Sequence, residues 1–162
     1  CQHTLFKLYS GRLMTVCLRY SSDTAQANDM LQETFIRIFA AVGQYRFEGS
    51  FEGWLKRTAV NCCLRILQKK TIRFEAINEA VLDVTDDFVL PGTGAPLLLK
   101  LISELPEGYR IIFNLFVIEG YTHDEIAQLL HIKAATSRSQ LAKARKMLQL
   151  QITECKKMDI LL

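Results

Sequence analysis

Apolar residues in this 162-residue chain recur at three- and four-residue intervals, the period of a helix face, and no stretch alternates as a strand would. Leu5, Leu8, Tyr9, Leu13, Val16, Cys17 and Tyr20 share one such face. Asp23 is placed to cap the next helix, with Gln26 at the position that reaches back. From there Ala27, Met30, Leu31, Phe35, Ile38, Phe39 and Val42 keep the spacing until Gly43 supplies a stop. Asp29, Gln32, Glu33 and Arg37 fall on the opposite face. Residues 44–53, with two glycines and three aromatics, are expected to form an ordered loop before a third helix from Trp54 to about Lys70. The second half reads the same way. Helices are expected over Leu97–Glu104, from Pro106 to Ile118, from the Thr122/Glu125 capping box to Leu130, and from Ala134 into the 150s. The fold class that follows is all-α.

Between the halves the periodicity fades. Residues 74–96 hold five acids (Glu75, Glu79, Asp83, Asp86, Asp87), no basic residue, and the run Pro91-Gly-Thr-Gly-Ala-Pro96. That composition predicts a flexible acidic linker over 72–96, joining a small helical domain at 1–71 to another at 97–162. The net charge of +3 is mild, but its distribution is not. Residues 53–73 carry six bases and no acid; residues 133–157 carry seven bases against the single Glu154. Two basic blocks around an acidic spacer point to a polyanion touched at two places.

The segment from Gly120 to Leu148 carries the sharper signal. Ile126, Leu129 and Leu130 give its first helix a buried stripe, Ala127 allows a close approach, and Ile132 plugs the turn. On the second helix Leu141, Ala144 and Leu148 align with Ser137, which leaves Ala135, Arg138, Ser139, Ala142, Arg145 and Lys146 facing outward. A helix-turn-helix has this pattern, its second helix lying in the major groove of DNA. Small residues beside Arg138 suit base edges, and Lys143, Arg145 and Lys146 suit phosphates. An ordinary helical hairpin with a solvated basic face satisfies the same spacing. His131, where Gly is usual, and Ser137, where an apolar residue packs better, stand out against the motif.

Five cysteines form no C-x-x-C pair, and the three histidines complete no zinc spacing. Buried thiols in a reducing cytosol fit that count, so the expected location is cytoplasmic. No segment has the apolar length of a membrane span, so no membrane insertion is expected. The chain opens at Cys1 with neither Met nor a signal-peptide pattern, and its native N-terminus is expected to have been trimmed. No carboxylate pair, His cluster or base-activated nucleophile has site-like spacing, so neither a catalytic role nor a cofactor is implied.

Three stretches, in order, carry a resemblance. Asp29-Met-Leu-Gln-Glu-Thr-Phe35 is similar to the D-L-V-Q-E-T-F motif of sigma region two. Phe51-Glu-Gly-Trp-Leu-Lys-Arg-Thr-Ala-Val-Asn61 is similar to F-x-x-W-L-x-x-I-A-x-N of the same region. Leu105-Pro106, then Gly120 to Ala127 and Thr136 to Leu141, are similar to region four. Together they resemble the extracytoplasmic-function group of bacterial sigma factors, the smallest form of the sigma-70 superfamily. Thr58 for Ile, His131 for Gly and Ser137 for Val are departures.

The resemblance implies a non-enzymatic protein that binds core RNA polymerase and directs it to promoter DNA. It implies that Asp29, Gln32 and Glu33 dock on the β′ clamp helices, though a solvated helix face accounts for them equally. Ile111, Ile112, Leu115, Phe116 and Ile118 either meet the β flap or fill the core, with core expected for most. It implies that Phe47, Ser50, Lys56, Arg57, Asn61 and Arg65 capture the unpaired −10 strand, with Phe51 and Trp54 as packing. Lys133, Ala135, Thr136, Arg138, Ser139, Lys143, Arg145 and Lys146 are then the −35 contacts. In this family an anti-sigma factor commonly covers both polymerase-binding surfaces. A stand-alone helix-turn-helix regulator is the nearest rival, and a metal nuclease the more distant one.

Overall fold

The computed structural model describes residues 2–69 and 95–160, and its contacts divide the chain into two compact units, 1–72 and 73–162. The expected linker lies, as far as residue 94, outside the described residues; Ala95 and Pro96 already belong to a helix. Every regular element among the described residues is helical.

The first unit packs α1 (Gln2–Tyr20), α2 (Thr24–Ala41) and α3 (Phe51–Lys69) against one another. Its core is Leu13, Val16, Cys17 and Tyr20 from α1, Ala27, Met30, Phe35 and Ile38 from α2, and Leu55, Ala59, Val60, Cys63 and Leu67 from α3. Leu8, expected on the buried face of α1, is 66% exposed instead. It lies in the first half of α1, which the other two helices cover less completely. Phe6 takes up the contact there, its ring 4.7 Å from Phe35. Asp23 caps α2 through Oδ1, which accepts from the Gln26 amide at 2.7 Å, while Gln26 Oε1 accepts from the Ser22 amide at 2.8 Å. The Val42–Gln44 turn is 3₁₀. Helix α3 begins at Phe51, three residues before Trp54, because Ser50 can end the loop: its carbonyl accepts from the Trp54 amide at 3.0 Å, and its hydroxyl accepts from Gly53.

The second unit contains α4 (Ala95–Glu104), α5 (Glu107–Phe113), a π-helical turn at Asn114–Ile118, α6 (His123–Leu130) and α7 (Ala134–Ile160). The expected single helix from Pro106 to Ile118 thus changes pitch at Asn114. There the buried Asn114 Nδ2 donates to the Arg110 carbonyl at 2.9 Å, competing for the acceptor of the regular ladder. Ile111, Ile112, Phe113 and Leu115 are fully buried, which makes them core; Ile118 is exposed. Arg110 is also buried. It donates to the carbonyls of Ser103 (2.8 Å) and Leu105 (3.3 Å) and so satisfies backbone groups where α4 ends.

Candidate nucleic-acid interface

Two local devices bound α6. At the start of α6 the capping box is complete: the Thr122 hydroxyl accepts from the Glu125 amide at 3.3 Å, and Glu125 Oε2 accepts from the Thr122 amide at 2.7 Å. The Thr122 amide, and with it the Thr122 hydroxyl, which donates to the same Oε2 at 2.9 Å, hold the Glu125 carboxyl below the ordinary carboxylate range. At its end His131 is left-handed (φ 56°, ψ 44°), the conformation its place in the turn requires, and the amides of His131 and Ile132 both donate to the Ala127 carbonyl. Ile126 and Leu130 of α6 and Leu141, Ala144 and Leu148 of α7 are all buried, and the two helices pack on each other.

The exposed side of α7 carries Ala135, Arg138 and Lys146, with Lys133 exposed just ahead of the helix. Thr136, Ser139, Ala142, Lys143 and Arg145 are half-buried at its edges. Ser139 Oγ donates to the Thr136 carbonyl at 3.0 Å, so its hydroxyl is engaged within the helix. Arg145 is less free than an outward residue: its guanidinium lies 5.9 Å from the centre of the Phe116 ring. Ser137 is fully buried, and its Oγ lies 2.9 Å from His123 Nδ1. A polar side chain at that position has a partner, which the local pattern does not reveal.

In the first unit the loop before α3 is built on aromatic rings. Tyr45 packs at 5.1–5.3 Å from Phe47, Phe51 and Trp54, Phe51 stacks on Trp54, and the Tyr45 hydroxyl donates to the Gly49 carbonyl at 2.8 Å. Phe51 and Trp54 are half-buried members of this cluster. Phe47 is not. It has φ 57° and is 87% exposed, a large apolar ring presented to solvent by a left-handed backbone. On α3 itself, Arg57, Asn61 and Arg65 recur every four residues and are all exposed, forming one polar, basic stripe. Lys56 belongs to a small ionic network instead, where Glu52 accepts from Lys56 (3.1 Å) and from Arg12 of α1 (2.7 Å). Arg12, which pattern reading left out, therefore lies at the start of α3; only the packing of α1 on α3 reveals it.

Asp29 and Glu33 line a groove of about 280 Å³ between α2 and α3, together with Arg37, Cys62, Arg65, Ile66 and Lys69. Glu33 is already paired with Arg37 one turn on. Acids expected to face polymerase and a base expected to face DNA thus border the same depression. Gln32 lies outside it, one turn before Ile36, which is 63% exposed. Ile36 is a surface candidate the sequence reading missed; its signal is an apolar residue one step off the buried stripe.

The chain matches the family models for Sigma-70 region 2 over residues 5–72 and Sigma-70, region 4 over residues 96–148. It is 34% identical to the ECF RNA polymerase sigma factor SigE of Mycolicibacterium smegmatis over 153 residues, covering 90% of this chain and 59% of that protein. It is 26% identical to the RNA polymerase sigma-H factor of Pseudomonas aeruginosa (85% and 79% covered) and 23% identical to SigW of Bacillus subtilis (91% and 86%). Among solved structures, the sigma factor RpoE in complex with the anti-sigma factor NepR from Bartonella quintana shares the fold. Its TM-score is 0.53 at 17% identity, with 93% of this chain and 96% of that one covered.

Proposed function

Since the chain belongs to the sigma-70 family, in its extracytoplasmic-function group, we propose that it binds core RNA polymerase and selects promoters by gripping two DNA elements. Its second unit reads the −35 element as duplex. Arg138, exposed near the start of α7 beside Ala135, reaches base edges, and Lys133, Lys143 and Lys146 hold phosphates. Its first unit captures the −10 strand after melting. Extruding a base costs a few kcal/mol, offset by stacking on an aromatic ring and by phosphates tracked along a basic groove. Phe47 supplies the ring, Arg57 and Arg65 the track, and Asn61 a hydrogen-bonding group for a base edge. The protein performs no bond chemistry of its own in this reading and acts in the cytoplasm, where the polymerase is. No helix among the described residues is long and apolar enough to cross a membrane.

Polymerase is held at the Asp29, Gln32 and Glu33 ridge, to which the exposed Ile36, one turn beyond Gln32, adds apolar area. An anti-sigma factor covering that ridge blocks polymerase by competition. The observation that carries the reading is Phe47, an 87% exposed ring on the loop that leads into α3, the helix that bears the basic stripe. Beyond its contact with the Tyr45 ring, Phe47 faces solvent.

The test is run-off transcription by purified core polymerase on a promoter library, with and without this chain. Start sites that depend on its presence support the reading. Tight sequence-specific duplex binding at a two-fold site without polymerase, and no start-site choice with it, would establish a stand-alone regulator.

A further inference from the structure

Ser137 breaks the apolar pattern of the helix-turn-helix, and His123 opens its first helix without contributing to the cap. The fold brings the two together. His123 Nδ1 lies 2.9 Å from Ser137 Oγ, across fourteen residues of chain. The imidazole stacks on Phe116 of the π turn, with centroids 4.3 Å apart and planes 19° from parallel. The guanidinium of Arg145 lies 5.9 Å from the same Phe116 ring. Three elements therefore meet at one side chain: the π turn through the stack, α6 through its own backbone, and α7 through the hydrogen bond. The residue after Ser137 is Arg138, the proposed base reader.

We infer that His123 is a positioning residue, which fixes the angle of the recognition helix through Ser137 and so aims Arg138 at the −35 base edges. The inference rests on the −35 reading above. A valine at position 137 would fill the same space but would impose no direction. A hydrogen bond to a ring clamped on Phe116 imposes one, because the ring plane and the Oγ position define each other. The charged groups acting on His123 are Arg138 and Arg145 from α7 and Asp124 from α6. Burial, then the two arginines, hold the imidazole below its ordinary 6.5, and Asp124 opposes them only in part. Neutral imidazole is therefore the form present at neutral pH. A proton added there places a cation beside Arg138 and Arg145 and pushes the helix from its seat.

The experiment uses holoenzyme assembled from core polymerase and the full chain, on promoters with intact or altered −35 elements. His123→Phe keeps the stack and loses the hydrogen bond; Ser137→Ala loses the bond from the other side. Each is expected to lower −35 discrimination by about three- to tenfold, the range of one net hydrogen bond. The double variant is expected to lose no more than either single one. Wild-type discrimination should hold at pH 7.5 and fall as pH drops below 6.5 through the folded value, and that of His123→Phe should stay flat. A second measurement works without DNA: residual dipolar couplings of α6 and α7 in the free chain should report a changed interhelical angle in both variants. An unchanged angle, or two singles that discriminate like wild type, overturns the positioning role. If wild type itself does not discriminate, the −35 reading fails, and the dipolar couplings alone decide whether His123 sets the angle.

Discussion

Phe47→Gly separates function from stability at a single residue. The ring of Phe47 is 87% exposed, and it meets the Tyr45 ring at 5.1 Å. Losing an aromatic pair of that kind costs about 0.5–1.5 kcal/mol. Its φ of 57° disfavours any residue with a Cβ, by about 1–2 kcal/mol. Glycine removes that penalty and adds about 0.5–1 kcal/mol of unfolded-state entropy. The opposing effects nearly cancel, so stability should change by less than about 1 kcal/mol, or a few degrees in the melting midpoint. Promoter opening should respond very differently. Stacking of a base on an aromatic ring contributes about 1–3 kcal/mol, which corresponds to about 5- to 150-fold in the opening equilibrium. The assay is 2-aminopurine fluorescence in the non-template −10 strand with holoenzyme, alongside thermal unfolding of the free protein. Phe47→Tyr, which keeps the π face, should open promoters as wild type does. Wild-type opening by Phe47→Gly, with an unchanged midpoint, would mean that no base stacks on that ring, and the −10 assignment of this loop would lose its main support.

Arg138→Ala should reduce the preference for the native −35 sequence by about 1–3 kcal/mol, whereas Lys146→Ala should weaken all sequences alike and lower the salt slope by about one; promoter binding over a salt series distinguishes them, and uniform loss from both counts against Arg138 as a base reader. Asp29→Lys reverses an exposed charge and should reduce association with core polymerase at least tenfold, leaving the helical content unchanged, as followed by competition binding and circular dichroism. Thr122→Ala removes the hydroxyl that accepts from the Glu125 amide and should cost about 1 kcal/mol in urea unfolding. For pH, the folded His123 binds its proton more weakly than the unfolded chain does, since burial and then Arg138 and Arg145 lower it from 6.5. Its contribution to stability is therefore complete above about pH 6.5 and is lost as pH falls from there through the folded value; unfolding of His123→Phe should lack that part of the pH dependence.

What could be foretold from local sequence were the features decided within four residues. Asp23 with Gln26, Thr122 with Glu125, and a left-handed residue at 131 all stand as the pattern placed them, because a cap or a turn is complete within one helical turn of chain. The same holds for the buried face of α7, where Leu141, Ala144 and Leu148 follow the helix period. The family motifs lie on these elements, so membership and the two basic faces were legible from the outset. Packing decided the rest. Leu8 has the same periodic signal as Leu13, yet only Leu13 is covered, since burial depends on how far the neighbouring helices extend. Arg145 carries the same charge as Lys146 but leans over Phe116, twenty-nine residues earlier in the chain. Arg12 meets Glu52 across 40 residues, Asp29 and Arg65 border one groove from different helices, and Ser137 finds His123. Backbone hydrogen bonds within a helix repeat along the chain and leave a periodic trace in the residues that permit them. A side chain's partner across a helix crossing depends on angles set by the whole core, and no interval in the sequence encodes it.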